Sequence, residues 1–98
     1  MILVGRDVLD AAGQTHRSRG LEKALAVWVK VAENARWQHF SDLRQTWPSA
    51  DYVGGQVVFN VKGNQFRLVA TVNYKIGVVA VVQVMTHAEY DRWSANFR

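Results

Sequence analysis

Apolar and polar positions alternate with the period of a β-strand through Phe59-Asn60-Val61 and again through Asn64-Gln65-Phe66-Arg67-Leu68. Between them, Gly63-Asn64 has the composition of a two-residue hairpin turn that needs positive φ. The turn predicts that Lys62 faces Gln65, Asn60 faces Arg67 and Phe59 faces Leu68. Side chains alternate across a strand. This register therefore collects Val57, Phe59, Val61, Phe66, Leu68, Ala70 and Val72 on one face and Asn60, Lys62, Gln65 and Arg67 on the other. A slip of one residue would set Arg67 opposite Phe59, so the pattern itself selects the register.

The remaining elements follow from the same periodicities. Residues 2 to 4 form a short β-branched run that predicts a first strand. Val8, Leu9 and Ala12 recur at helical spacing between Gly5 and about Arg17, and Gln14 to Gly20 has the polar composition of a connection. Leu21, Ala24, Leu25, Trp28, Val31 and Ala32 mark a second helix whose apolar stripe lays Trp28 on the sheet. Trp37, Phe40, Leu43 and Trp47 predict a third, short helix that must stop before Pro48. Ser49 to Gly55 reads as a loop. Val78 to Met85 is apolar on both faces, as an inner strand covered on each side would be. If Lys75-Ile76-Gly77 is a three-residue hairpin loop, Gln83 and Met85 fall on the Arg67 face. Thr86-x-x-Glu89 then forms a capping box that starts a final helix at His87, with His87, Tyr90, Trp93 and Phe97 on roughly one side.

Composition narrows the class. Ninety-eight residues, 49% of them apolar and four of them Trp, make a single domain over residues 1–98. A domain of this size buries about 65% of its unfolded surface without disulfides or a structural metal. No apolar run approaches the roughly 20 residues of a membrane helix. Met1-Ile2-Leu3-Val4 is too short for the apolar region of an export signal and follows no positive segment, so a soluble chain without a membrane partner is expected. The lack of cysteine excludes thiol nucleophiles and thiolate zinc sites. Histidines at 16, 39 and 87 lack metal-ligand spacing. The net charge of +4 divides evenly, seven basic and five acidic residues before position 50 and five and three after it. It permits a polyanionic partner without demanding one. His16-Arg17-Ser18-Arg19 is the one local concentration of positive charge, readable as a solvated helix connection or as a phosphate or partner contact.

Arg67, Lys62, His87 and Tyr90 are the side chains that can converge at the end of the sheet, where a helix N-terminus also points. Exposed N–H groups and the positive dipole end suit an anion there, and Arg67 adds a bidentate phosphate clamp. The same dipole disfavours a protonated His87, leaving a neutral imidazole as candidate general base. A phosphodiester fits this arrangement. Each residue also has a plainer role. Arg67 can pair with Asp51 or Asp91, Lys62 can be a solvated turn residue, His87 a packed or exposed ring, and Tyr90 part of the core with Trp93 and Phe97. Glu89 is explained by the capping box alone.

The segment Phe59-Asn60-Val61-Lys62-Gly63-Asn64-Gln65-Phe66-Arg67-Leu68-Val69-Ala70, followed by Val84-Met85-Thr86-His87-Ala88-Glu89-Tyr90-Asp91, resembles the signature of HigB-type toxins, within the RelE-like group of bacterial type II toxin-antitoxin systems. Pro48-Ser49-Ala50-Asp51 resembles the segment that precedes the strands in that group. The resemblance implies an α+β fold, with an antiparallel sheet of about three to four strands packed against N-terminal helices and a short C-terminal helix. It implies a cytoplasmic endoribonuclease that cuts mRNA on the ribosome without metal or other cofactor and is neutralised by a helix-turn-helix antitoxin. The ribose 2′-hydroxyl attacks phosphorus and the 5′-oxygen leaves. Arg67 would stabilise the phosphorane, His87 would take or relay a proton, and Tyr90 would position the scissile nucleotide or share proton transfer. Lys62, with Asn60 and Asn64, would hold neighbouring RNA. A non-catalytic RNA- or protein-binding domain of the same fold and a gyrase-inhibiting toxin are the alternatives.

Overall fold

A computed structural model describes residues 1–16 and 19–97. Its centre is the hairpin of β3 (Gln56–Val61) and β4 (Phe66–Asn73), which pair antiparallel with Phe59 opposite Leu68 and Asn60 opposite Arg67. That is the register the alternation demands. The turn differs in detail. Residues 62 to 65 connect the strands, and the positive φ values belong to Lys62 (52°) and Gly63 (63°) rather than to Asn64. The left-handed backbone at Lys62 ends the alternation. Its stem packs where a Cβ on Gly20 would collide with it, and its ammonium stands 6.0 Å from the Phe66 ring. Lys62 therefore leans to the helix-covered face and not, as alternation predicts, to the Arg67 face.

β5 (Val78–Thr86) continues the sheet beside β4. The connection has four residues, Tyr74 to Gly77, where the sequence suggested three, and Asn73 Oδ1 accepts from the Lys75 and Ile76 N–H groups within it. The longer loop would shift the whole strand by one residue. A bulge restores the count: Ala70 faces Val81, but Val69 faces Gln83, so Val82 is the extra residue. Gln83 and Met85 consequently reach the Arg67 side.

Two short edge strands complete a five-stranded sheet in the order β1-β5-β4-β3-β2. β1 (Ile2–Val4) runs parallel to β5, so the sheet is mixed and larger than the antiparallel three or four strands expected. Alternation identifies a strand but does not reveal the direction of its partner. β2 (Asp51–Val53) lies inside the stretch read as a loop. It is joined to β3 by Gly54-Gly55, both at positive φ, as a tight hairpin requires.

One face of the sheet carries α1 (Arg6–His16), α2 (Arg19–Asn34) and α3 (Phe40–Thr46). The polar stretch Gln14 to Gly20 is mostly helix ends, because Gln14 and Thr15 lie on the solvent side of α1 rather than in a connection. Arg17 and Ser18, from the local basic cluster, lie outside the described residues. Trp28 of α2 is fully buried and meets Phe59 edge to face at 5.3 Å, with Trp37 and Trp47 at 6.3 and 6.1 Å from the same ring. Asp42 accepts from the Gln38 and His39 N–H groups and so closes the start of α3, which ends before Pro48. No helix among the described residues is long and apolar enough to cross a membrane.

The other face carries α4 (His87–Ser94), which covers Val53, Val58, Val69 and Met85 with Tyr90 and Trp93 and runs on into a single 3₁₀ turn over Ala95–Phe97. The helix begins where the capping box predicts. Thr86 N–H donates to Glu89 Oε1 at 2.9 Å and Glu89 N–H donates to Thr86 Oγ1 at 3.2 Å. Because α4 covers only the Met85 end, β5 is not shielded on both sides along its length, and Val82 and the neighbouring Val4 stay exposed.

Candidate active site

β4 places Arg67 between Asn60 of β3 and Met85 of β5, on the face covered by α4. It is 7% exposed, a costly position for a cation without compensation. The compensation comes from carbonyls and rings. Nη1 donates to the Asn64 carbonyl at 2.9 Å and to the Phe66 carbonyl at 3.2 Å, Nη2 lies 3.0 Å from His87 Nδ1, and the guanidinium stands 5.4 Å from the centre of the Tyr90 ring. Among the described residues no carboxylate comes within ion-pairing distance of it. Asp51 instead accepts from the Tyr52 N–H, and Asp91 faces His87. The plain reading of Arg67 as half of an ion pair therefore does not hold. Its Nε–H and second Nη2–H meet no protein acceptor among the described residues.

His87 is the first residue of α4, and its exposed side chain stands at the rim above Arg67. A guanidinium can only donate. In a neutral ring the Nδ1 lone pair thus faces Arg67 and the proton sits on Nε2, whose neighbour is Asp91 Oδ2 at 3.3 Å. Tyr90, one turn on, is buried beneath the guanidinium and continues through Trp93, at 6.0 Å, to Phe97.

The helix N-terminus itself offers less than the sequence suggested. The Thr86 and Glu89 N–H groups are used by the capping box, and the His87 N–H donates to the Gln65 carbonyl at 3.1 Å. Glu89 adds a negative charge there. The hydrogen bond from the Thr86 backbone N–H, then that with its hydroxyl, holds this carboxyl below its usual range. An anion at this corner would meet Arg67 rather than the Thr86, His87 and Glu89 backbone donors.

The three residues expected to hold RNA lie together on the hairpin. Asn60 Nδ2 donates to Asn64 Oδ1 at 3.2 Å, and the indole N–H of Trp47, from the end of α3, donates to the Asn60 carbonyl at 3.0 Å. Asn60, Lys62, Gly63 and Asn64 form one wall of an open groove of about 500 Å³, with Trp47, Pro48 and Ser49 forming the other. Asn64 links this groove to Arg67 through its carbonyl. Trp47 and Asp91 are the contributions that sequence reasoning passed over. In the sequence Trp47 stands only as one of the apolar positions that mark the third helix, and Asp91 only as a candidate partner for Arg67, although its i, i+4 spacing from His87 is visible. Among the described residues no group of three or more His, Cys, Asp or Glu gathers to hold a metal.

A buried, carbonyl-tethered guanidinium with two unused N–H groups, touching an exposed imidazole that presents a lone pair, is a pair of tools for a phosphodiester. The first can neutralise charge on phosphate oxygens, and the second can accept a proton. Residues 21–93 match the family model described as HigB toxin, RelE-like toxic component of a toxin-antitoxin system. The chain is 41% identical over 59 residues to the mRNA interferase toxin HigB of Escherichia coli strain K12, and equally to the mRNA interferase HigB of Escherichia coli O157:H7 and of Shigella flexneri. Each alignment covers 57% of this chain and 57% of the relative, so the match spans little more than half of those proteins.

Proposed function

Because the chain belongs to the HigB family of RelE-like toxins, we propose that it is the toxin of a toxin-antitoxin pair and acts as an endoribonuclease on mRNA. The observation that carries this reading is the 3.0 Å contact between Arg67 Nη2 and His87 Nδ1, which brings a charge stabiliser and a base to one point. At rest the two groups satisfy each other. A phosphate oxygen that takes the Nη2 N–H releases the Nδ1 lone pair, which then accepts the proton of the adjacent ribose 2′-hydroxyl. The 2′-oxygen bonds to phosphorus and the bond to the 5′-oxygen breaks. The leaving oxygen takes a proton from the imidazolium or from water, giving a 2′,3′-cyclic phosphate and a 5′-hydroxyl.

Each group has a stated share in this scheme. Arg67 holds the charge that grows on the non-bridging oxygens, a role worth about 100- to 1,000-fold in rate. His87 supplies general base catalysis, worth about 100- to 10,000-fold. Tyr90, buried under the guanidinium, acts as the platform that orients Arg67. Asn60, Asn64 and Lys62 guide the flanking nucleotides along the groove that Trp47 closes. With a net charge of only +4, RNA contact is completed by the ribosome in the cytoplasm, and a helix-turn-helix antitoxin is the neutralising partner.

Expression of the wild-type chain, Arg67→Ala and His87→Ala in a bacterial host tests this. Growth arrest with mRNA cuts that both variants abolish is the expected result. Arrest with intact mRNA and damaged DNA would favour gyrase inhibition, and no arrest would favour a non-catalytic binder.

A further inference from the structure

The scheme above, on which the following inference rests, leaves one charged group near the reacting atoms without a task. Asp91 lies one turn beyond His87 on α4, with Oδ2 3.3 Å from His87 Nε2. Its side chain and that of His87 are both more than half exposed, so the pair adds little to folding stability. Its effect on the ring is more specific. A carboxylate only accepts and a guanidinium only donates. The two neighbours of the imidazole, Asp91 on Nε2 and Arg67 on Nδ1, thus favour the same tautomer from opposite sides, the proton on Nε2 and the lone pair on Nδ1. If the proton sat on Nδ1 it would point at the guanidinium, and the Nε2 lone pair would face the carboxylate.

We propose that Asp91 is a positioning residue that holds His87 in the Nε2–H tautomer, so that its lone pair stays on the Arg67 side where the substrate phosphate arrives. Asp91 touches no reacting atom. A carboxylate on the far nitrogen of a base serves the same end in the serine-protease triad, where replacing it with an amide gives the wrong tautomer. The exposure of Asp91 sets a smaller effect here, of the order seen for the carboxylate partners of metal-binding histidines.

The test is made on the full chain. Long-range ¹⁵N–¹H spectra of labelled wild-type, Asp91→Asn and Asp91→Glu proteins, recorded where the ring is neutral, read the tautomer of His87, its signals assigned by their loss in His87→Gln. The wild type is expected to show protonated Nε2 and bare Nδ1, Asp91→Asn a measurable gain of the Nδ1–H form limited by the Arg67 donor that remains on Nδ1, and Asp91→Glu a partial return. In steady-state RNA cleavage Asp91→Asn is expected to lose about 10- to 100-fold in kcat with little change in KM or melting temperature, and Asp91→Glu to recover part of the loss. A wild-type ring protonated on Nδ1, or an Asp91→Asn ring with the wild-type tautomer, would overturn the proposal. So would a kcat for Asp91→Asn within twofold of the wild type. A wild-type chain that cuts no RNA would instead end the nuclease reading, while the spectra alone would still decide whether Asp91 sets the tautomer.

Discussion

The two faces of the sheet are built on opposite terms. The face under α1, α2 and α3 buries one large, mainly apolar cluster, with Trp28, Phe59 and Leu68 fully buried in it. The face under α4 has a small cluster of Val53, Val58, Val69, Met85 and Tyr90, and at its margin it holds a guanidinium with no carboxylate partner among the described residues. The first face supplies stability through area removed from water. The second spends part of that stability to keep a cation nearly buried, which a core never needs. A buried charge tethered by carbonyls and an imidazole makes sense as a tool aimed at an anion.

Substitutions that hit one face and spare the other can break this contrast. On the helix-covered face, Trp28→Ala removes the ring that packs on Phe59 and is expected to cost about 3–5 kcal/mol, read as a large drop in the denaturation midpoint. A loss below about 1 kcal/mol would mean that this face is not the stabilising one. On the opposite face, Arg67→Lys keeps the charge but not the fork. RNA cleavage is expected to fall about 100-fold while the midpoint moves by less than the Trp28→Ala shift. Equal activity of the two would place Arg67 outside the chemistry.

Much of this contrast is legible in the sequence. The period of two through Phe59-Asn60-Val61 and Phe66-Arg67-Leu68 gives the register, and Thr86-x-x-Glu89 gives the start of α4, because both signals are local. What escaped depends on distant partners. β2 has three residues and exists only because β3 offers an edge, and β1 is parallel because it docks on a strand more than seventy residues away. Alternation puts Lys62 on the Arg67 face, and alternation fails at a positive φ. Asp91 escaped because sequence shows that Asp91 lies on the His87 face of a helix but not which nitrogen it meets.

Smaller effects sharpen the comparison at α4 itself. Thr86→Ala removes one side of the capping box and is expected to cost about 1 kcal/mol in denaturant unfolding. Since α4 carries His87, the same variant is expected to lose some RNA cleavage, whereas a cap change on α3 is not. The pH dependence has a definite sign. Glu89 has a folded pKa below its ordinary 4.5, so it stabilises the protein above that value, and the contribution is lost as pH falls through the lowered pKa. The stability gap between wild type and Glu89→Gln is therefore expected to be open near neutral pH and to close in acid. A gap that widens in acid would reverse the assignment.

The most direct test of the shared Arg67–His87 site is a double-mutant cycle in RNA cleavage. With Arg67→Ala, His87→Ala and the double variant compared at equal folded fraction, two groups that act as one unit predict a double variant no slower than the worse single one. Losses that multiply across the two sites would mean that the guanidinium and the imidazole act independently, and a single variant with wild-type cleavage would remove that residue from the site.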